Sequence, residues 1–188
     1  MKHIKYILAF FLIIIGCSQK IEKDNNTKDS IESSSANDSA ILNGQYVKKI
    51  NSGLITTIGN FENGKKEGQF IYFDDKGKMQ AQENYLNDKL HGVQITVHNT
   101  GKIKKSINYL NGVKEGSYTI YYKNGKLQET GTYKNGNKDG IITWYYETGE
   151  KNITYNYENG QLNGPTQEFS KDGRLLKEGN YINGQKVN

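Results

Sequence analysis

The hydrophobic and polar positions of this chain alternate in short runs that are separated by turn-forming clusters. In one such unit, Ser117 to Tyr122 is rich in β-branched and aromatic residues, which favour a half-buried strand. Residues 123–125 have the composition of a tight turn, and Lys126 to Tyr133 continues as a second strand. A looser turn follows at residues 134–139. The pattern therefore predicts a β-hairpin, with no room for a helix of ordinary length.

The hairpin pattern recurs with a period of 24 residues. Six glycines mark the period without a slip: Gly44, Gly68, Gly92, Gly116, Gly140 and Gly164. Twenty of the 21 glycines fall on one repeat phase, and such self-similarity is typical of a repeat array. The sequence predicts an all-β fold of six hairpins in an elongated, twisted antiparallel meander sheet. Its repeats are residues 44–67, 68–91, 92–115, 116–139, 140–163 and 164–188. Positions within a repeat are numbered here from 0, at these glycines, to 23.

Three columns of side chains are predicted to form the repeat core. Position 17 is aromatic in every repeat, and positions 5 and 11 are each apolar in five of six. A turn near position 8 would place 5 opposite 11, and a turn near position 23 would place 17 opposite the next repeat's 5. The three columns would then share one continuous face. Their aromatic members are Phe61, Phe73, Tyr85, Tyr109, Tyr121, Tyr133, Tyr145, Tyr157, Phe169 and Tyr181.

The opposite face is apolar only in the middle of the array, so it is predicted to be a second packing surface or a binding surface. The candidate binding residues are Tyr118, Tyr122, Trp144 and Tyr146. Exposed aromatic side chains suit a protein hot spot or stacking against sugar rings. The alternative that Trp144 only covers the outer face stays open. Pro165 is expected on an edge strand, where no ladder hydrogen bond is lost.

The first 41 residues are predicted to lie outside the repeat fold. Residues 1–16 have a basic start and a short apolar run, and they resemble a bacterial lipoprotein signal peptide that precedes a lipidated Cys17. The alternative is an ordinary cleaved secretory signal with an incidental cysteine. Residues 17–41 are polar and are predicted to be a flexible linker, which leaves residues 42–188 for the repeats. This organisation predicts a lipid anchor in a membrane of the bacterial cell envelope, with the outer membrane or the cell surface favoured.

Charge and motifs argue against nucleic-acid binding and catalysis. The formal net charge of +5 falls to +3 without Lys2 and Lys5, and no basic stripe is present. Cys17 is the only cysteine, and neither His91 nor His98 has a partner at metal-ligand spacing. No nucleophile elbow or phosphate-binding motif occurs. We therefore expect no enzyme, no catalytic residue, no metal site and no cofactor.

The repeat unit resembles the bacterial variant of the MORN (membrane occupation and recognition nexus) repeat, which includes the YwqK-like family often labelled antitoxin. Clear instances are Gly68–Leu86, Gly116–Gly136 and Gly140–Gly160, and the resemblance covers about residues 42–188. It implies hairpin sheets that act in protein or lipid contact, without catalytic residues. Only one tryptophan occurs, and only His91 keeps the His-Gly step of the eukaryotic form. Lipid-headgroup recognition by that form is therefore not implied here.

These observations together predict a lipid-anchored, extracytoplasmic and non-catalytic protein-interaction module. The family resemblance narrows this to an antitoxin or immunity protein with a toxin as its partner. A glycan-binding or cell-wall-binding surface module and a structural scaffold without a discrete ligand remain as alternatives.

Overall fold

The structure, a computed structural model, describes residues 42–187, and every regular element in that range is a β-strand. The strands are β1 (Gly44–Lys49), β2 (Ile55–Glu62), β3 (Lys65–Lys66), β4 (Gly68–Phe73), β5 (Met79–Leu86), β6 (Lys89–Leu90), β7 (Gly92–Val97), β8 (Ile103–Leu110), β9 (Val113–Tyr121), β10 (Leu127–Lys134), β11 (Asn137–Tyr145), β12 (Lys151–Glu158), β13 (Gln161–Phe169), β14 (Leu175–Ile182) and β15 (Gln185–Lys186). Within residues 42–187 no helix is long and apolar enough to cross a membrane.

All fifteen strands form one antiparallel sheet, and the thirteen strands other than β3 and β6 lie in it in the order of the sequence. The short strands β3 and β6 pair only with β2 and β5, beside the turns that lead into β4 and β7. The all-β antiparallel meander predicted from the sequence is therefore confirmed. The signal peptide, Cys17 and the linker predicted at the N-terminus lie outside the described residues.

The first turn of each repeat lies where the sequence places it. Position 5 pairs with position 11 in all six hairpins, as in Phe73 opposite Met79 and Val97 opposite Ile103. The register shifts by one residue just before this pair in each hairpin, for example between Tyr72 and Phe73. Such a bulge adds one residue to one strand and increases the local twist.

The second turn lies elsewhere, and the predicted pairing of position 17 with the next repeat's position 5 is wrong. Leu110 pairs with Val113, so the turn is the two-residue loop Asn111-Gly112. Both loop residues have positive φ, 52° and 87°. Asn-Gly favours this conformation because the type I′ turn matches the right-handed twist of the two strands. Position 17 consequently faces position 22, as in Tyr109 opposite Lys114.

This register moves the core to other columns. Residues directly opposite each other share a face, so position 17 lies with positions 2, 4, 13, 15 and 22. We call this the tyrosine–lysine face. Its central members are Lys66, Phe70, Tyr72, Tyr85, Tyr109, Lys114, Tyr118, Glu129, Tyr133, Lys138, Trp144 and Tyr157. The fully buried side chains lie at position 2 on this face: Phe70 is 1% exposed, Tyr118 2% and Ile142 0%.

Position 5 was assigned to the same core, and that assignment is wrong for Phe73, Tyr121, Tyr145 and Phe169. Successive residues of a strand point to opposite faces, so Tyr145 lies on the face opposite to Trp144. Its hydroxyl is 3.4 Å from that of Thr130. We call this second face the threonine face, because Thr119, Thr130, Thr143 and Thr154 are directly paired across four strands there. The position-5 side chains belong to it.

A single sheet buries large side chains here because glycines sit beside them. The ring of Phe70 lies over Gly59, and the side chains of Ile142 and Tyr118 lie over Gly131. A Cβ atom at Gly59 would be 2.3 Å from the Phe70 ring, so only glycine leaves room for this packing. Full burial of an apolar side chain contributes about 1.5–3 kcal/mol. Large side chains thus pack over glycines within one sheet, whereas in an ordinary β-sandwich they pack against a second sheet.

The repeat glycine at position 0 marks a second bulge, and Pro165 follows one of these glycines. Gly116 has a φ of 83°, and Asn108 on the neighbouring strand donates its Nδ2–H to the Ser117 carbonyl at 2.7 Å.

The prediction that Pro165 lies on an edge strand is wrong, because β13 pairs with both β12 and β14. The β12–β13 register skips the residues beside Pro165, so its missing N–H removes no ladder bond.

Candidate interaction surface

Lysines and aromatic rings alternate along the tyrosine–lysine face. The lysines come from position 22, the second residue after the Asn-Gly turn. Lys66, Lys114 and Lys138 each lie over the position-17 ring of the next repeat. The ammonium of Lys66 is 4.5 Å from the centre of the Tyr85 ring, and that of Lys114 is 4.9 Å from the Tyr133 ring. A cation over an aromatic face contributes about 0.5–1 kcal/mol at exposed sites and more when it is desolvated.

The central cluster is built around Lys138. Its ammonium is 4.9 Å from the ring of Trp144 and 5.8 Å from the rings of both Tyr118 and Tyr157. It forms an ion pair with Glu129 at 2.5 Å. The same Glu129 oxygen accepts a hydrogen bond from the Tyr118 hydroxyl. Burial, followed by this hydrogen bond, raises the pKa of Tyr118 well above its ordinary value of 10.0.

A second cluster surrounds Lys66, at the junction of the first two repeats. Its ammonium is 5.0 Å from the ring of Phe70 and 5.6 Å from that of Tyr72. It donates hydrogen bonds to the hydroxyl oxygens of Tyr72 at 3.0 Å and Tyr85 at 3.5 Å. Tyr85 in turn donates to Glu83, and burial together with that bond raises the pKa of Tyr85. The Lys66 ammonium thus lies among three aromatic rings, those of Phe70, Tyr72 and Tyr85.

The structure separates the four residues predicted to form a binding surface. Tyr118 is buried in the core, so its prediction as a surface residue is wrong. Trp144 lies on the same face, half-buried, and packs against the buried cluster. Tyr122 and Tyr146 lie beyond the strand ends instead. Their hydroxyls donate to backbone carbonyls of the next repeat, those of Tyr145 at 2.7 Å and Phe169 at 2.8 Å.

His98 occupies the position of these two tyrosines and makes the same kind of contact. Its Nε2 is 3.0 Å from the Tyr121 carbonyl oxygen, one repeat further along the chain. The structural role expected for this histidine agrees with that contact. Position 6 of the third, fourth and fifth repeats therefore links each of them to the next repeat, on the side of the sheet where the first turns lie.

On the other side of the sheet, the Asn-Gly turns link successive repeats. Each turn donates its glycine or Asp88 N–H to position 22 of the preceding repeat, as Gly112 donates to the Leu90 carbonyl at 2.7 Å. Carboxylates at position 23 add a second link, because a Glu115 oxygen accepts the N–H of Asn135 at 2.7 Å. Both sides of the tyrosine–lysine face are thus held by bonds between repeats, which lowers the conformational entropy that this surface would lose on binding a partner.

Sequence reasoning missed the lysines at position 22 and Glu129. The lysines were interpreted as part of a loose turn, whereas they lie in strands opposite the aromatic column. The signal was present in the recurring Asn-Gly dipeptide, which fixes a two-residue loop and therefore places position 22 opposite position 17. Glu129 has no equivalent carboxylate in the other repeats, so no repeat pattern could point to it.

The threonine face also carries an open groove. It has a volume of about 390 Å³ and is lined by Ile141, Thr143, Thr154, Pro165 and Gln167, among others. Ile141 is 67% exposed. Hydroxyls beside an exposed aliphatic side chain could contact a polar ligand, but the groove has no charged cluster comparable to that around Lys138.

Five segments of the chain match the family model described as MORN repeat variant. They are residues 66–87, 90–111, 114–135, 138–159 and 162–183, more than half of the chain. The chain belongs to the MORN repeat variant family. Each matched segment begins at position 22, the second residue after an Asn-Gly or Asn-Asp turn, and the hairpin formed by β1 and β2 is not matched. MORN repeats are generally modules of protein or membrane interaction.

Comparison with other known proteins adds little to the family assignment. No curated protein sequence matches this chain. A solved structure that is similar is described as "Crystal structure of GtfA/B complex bound to UDP and GlcNAc", with a TM-score of 0.26 and 14% sequence identity over 58% of this chain. The chain spans 22% of the length of that protein. The ligands in that description are those of that protein.

Proposed function

We propose that this MORN repeat protein is a lipid-anchored, non-catalytic protein-interaction module of the bacterial cell envelope. The observation that carries the proposal is the tyrosine–lysine face, which presents half-exposed tyrosines, a tryptophan and lysines. Hydrogen bonds between successive repeats hold the sheet on both sides of this face. Tyrosine and tryptophan are enriched among the residues that dominate protein-binding energy. Membership of the MORN family agrees with an interaction role.

Within this role, an antitoxin or immunity function is the narrower proposal. The resemblance to YwqK-like proteins supports it, and the lipoprotein-like segment that ends at Cys17 favours a periplasmic or surface immunity protein. The partner would then be a toxin that meets this protein outside the cytoplasm. Loss of metabolic lipid labelling in Cys17→Ser, with labelling of the natural chain, would test the anchor.

Site-specific photocrosslinking in the native host tests the interaction surface. A photoreactive residue at Lys114 lies on the tyrosine–lysine face, and one at Lys134 lies exposed on the other face and serves as the matched control. We expect a covalent adduct with one protein from position 114 and none from position 134. Equal adducts from both positions, or no protein adduct from position 114, would refute the proposal.

Glycan or cell-wall binding is the second candidate, and the groove beside Ile141 on the threonine face favours it. Co-sedimentation of the whole chain with peptidoglycan tests this candidate. Binding that is unchanged in both Ile141→Asp and Trp144→Ala would count against it, because one variant alters each face.

A further inference from the structure

Position 13 shows how the tyrosine–lysine face holds a carboxylate. At the junction of the fourth and fifth repeats this position is Glu129, which lies opposite Trp144. Its oxygen is bound by the Lys138 ammonium and the Tyr118 hydroxyl. On this surface, a half-buried lysine, a tyrosine hydroxyl and aromatic neighbours thus surround a carboxylate of the same chain.

The junction of the first and second repeats has an equivalent lysine and an equivalent position-4 aromatic ring, but no carboxylate at position 13. Lys66 takes the place of Lys138, and Tyr72 takes the place of Trp144. Position 13 is Thr57, which lies opposite Tyr72 as Glu129 lies opposite Trp144. Threonine has no charged group, so position 13 supplies no counterion to Lys66 at this junction.

The charge of Lys66 has no direct counterion. In the part of the chain that the structure describes, no carboxylate oxygen lies within 4.0 Å of its Nζ. Glu83 is reached only through the Tyr85 hydroxyl, and its second oxygen accepts a hydrogen bond from Gln94 at 2.6 Å. A lysine ammonium has three donors, and the two known bonds of Lys66 go to the uncharged hydroxyls of Tyr72 and Tyr85.

We propose that Lys66, with Tyr72 and Tyr85, is a binding site for a carboxylate side chain in an acidic segment of the partner protein. The proposal rests on the protein-interaction function above and names the chemistry of the partner. The carboxylate of an aspartate or glutamate would give this partly desolvated ammonium an acceptor of opposite charge, and opposite charges attract more strongly away from bulk water. The aromatic rings exclude water on the sides of this bond, as they do around Glu129.

The test measures binding of a fluorescein-labelled hexaglutamate peptide to the whole chain in neutral detergent by fluorescence anisotropy. Thr57→Glu is the decisive variant, because it keeps Lys66 and supplies an internal carboxylate in the register of Glu129. Thr57→Gln is its uncharged control. Lys66→Met removes the ammonium, and Lys134→Met is its control on the other face.

We expect both Thr57→Glu and Lys66→Met to weaken hexaglutamate binding about tenfold, the effect of losing one charge-assisted bond, while both controls bind as the natural chain does. A loss below about threefold in Thr57→Glu, or an equal loss in Thr57→Gln, would overturn the site. Failure of hexaglutamate to bind the natural chain would also overturn it. Tighter binding to phosphatidylglycerol vesicles than to the peptide, with the same dependence on Lys66, would assign the site to lipid and refute a protein partner.

These outcomes are separable from those of the proposed function. A photocrosslinked partner that is retained from position 114 in a Lys66→Met background would leave the interaction function standing and refute the carboxylate site. Peptide binding that depends on Lys66 without any protein adduct in the host would do the reverse.

Discussion

The packing of large side chains over glycine at position 15 makes a prediction about Gly131. Replacement by alanine would place a Cβ atom 2.3 Å from Cδ1 of Ile142 and 3.0 Å from Cε1 of Tyr118. Ile142 is fully buried and Tyr118 nearly so, which leaves neither side chain an open direction in which to move. The backbone is not the obstacle, because Gly131 does not have a positive φ. The cost of Gly131→Ala would therefore arise from overpacking alone.

The magnitude follows from two opposing terms. Overpacking of a filled core costs about 1–3 kcal/mol, whereas Gly→Ala stabilises by about 0.4–1 kcal/mol through the unfolded chain. We expect Gly131→Ala to lower the free energy of unfolding by about 1–2 kcal/mol. Gly179 is the matched control at the same repeat position. Its added Cβ would meet Thr166 Cγ2 at 3.2 Å and the flexible end of Lys186 at 3.3 Å, so Gly179→Ala should be near neutral.

Urea unfolding of the whole chain, followed by far-UV circular dichroism, measures these differences. Ile→Val removes Cδ1, the atom that Gly131→Ala would strike, so Ile142→Val should rescue it. The single Ile142→Val variant costs about 0.5–1.5 kcal/mol, and the double variant should be more stable than the sum of the two single effects predicts. Equal effects of alanine at Gly131 and Gly179, or strict additivity of Gly131→Ala with Ile142→Val, would refute the packing argument. Unchanged m-values are required, because repeat arrays can lose cooperative unfolding.

Three further predictions concern bonds between and within repeats. Glu115→Gln should lower unfolding free energy by about 0.5–1.5 kcal/mol in urea titrations, because the charged acceptor of the Asn135 N–H is replaced by a neutral one. Tyr146→Phe should cost a similar amount, about 0.5–1.5 kcal/mol, since it leaves a carbonyl oxygen without its donor, and a neutral result would show that water replaces the hydroxyl. The raised pKa of Tyr118 means that its protonated form stabilises the fold fully below about pH 10 and that this stability is lost as pH rises further. Urea midpoints of Tyr118→Phe should therefore fall less steeply above about pH 10 than those of the natural chain.

The sequence was sufficient to predict the fold class, the hairpin period and the first turn. Regular glycines and aromatic columns carry that information because every repeat restates it, so single departures such as Lys49 or Lys151 do not obscure the pattern. The face on which each column lies depends on the location of the second turn. The sequence left that location ambiguous, because several polar residues beside Asn111-Gly112 also favour turns. A shift of the turn centre by a few residues moved Tyr145 to the other face, since side chains alternate along a strand.

The candidate site could be predicted only in part. Trp144 was identified from its residue type, and Tyr118 was misplaced because a tyrosine that is fully buried looks the same in sequence as an exposed one. Its burial depends on Gly131 in the opposing strand, a long-range pairing that follows only from the correct register. Lys138 escaped notice because lysine is common in turns, and its position over aromatic rings needs the same register.

Repetition and variation have separate roles in this sheet. Positions that recur, such as the Asn-Gly turns and position 17, satisfy backbone geometry and edge contacts that every hairpin needs, so they say little about a partner. Position 13 is under no such constraint, and it changes from Thr57 to Lys105 to Glu129 along the same face. A change at this position alters the charge beside an aromatic ring without altering the fold. Selectivity for a partner therefore has to come from the positions at which the repeats differ, and the junction where Lys66 lacks the carboxylate that Glu129 supplies to Lys138 is the clearest difference on this face.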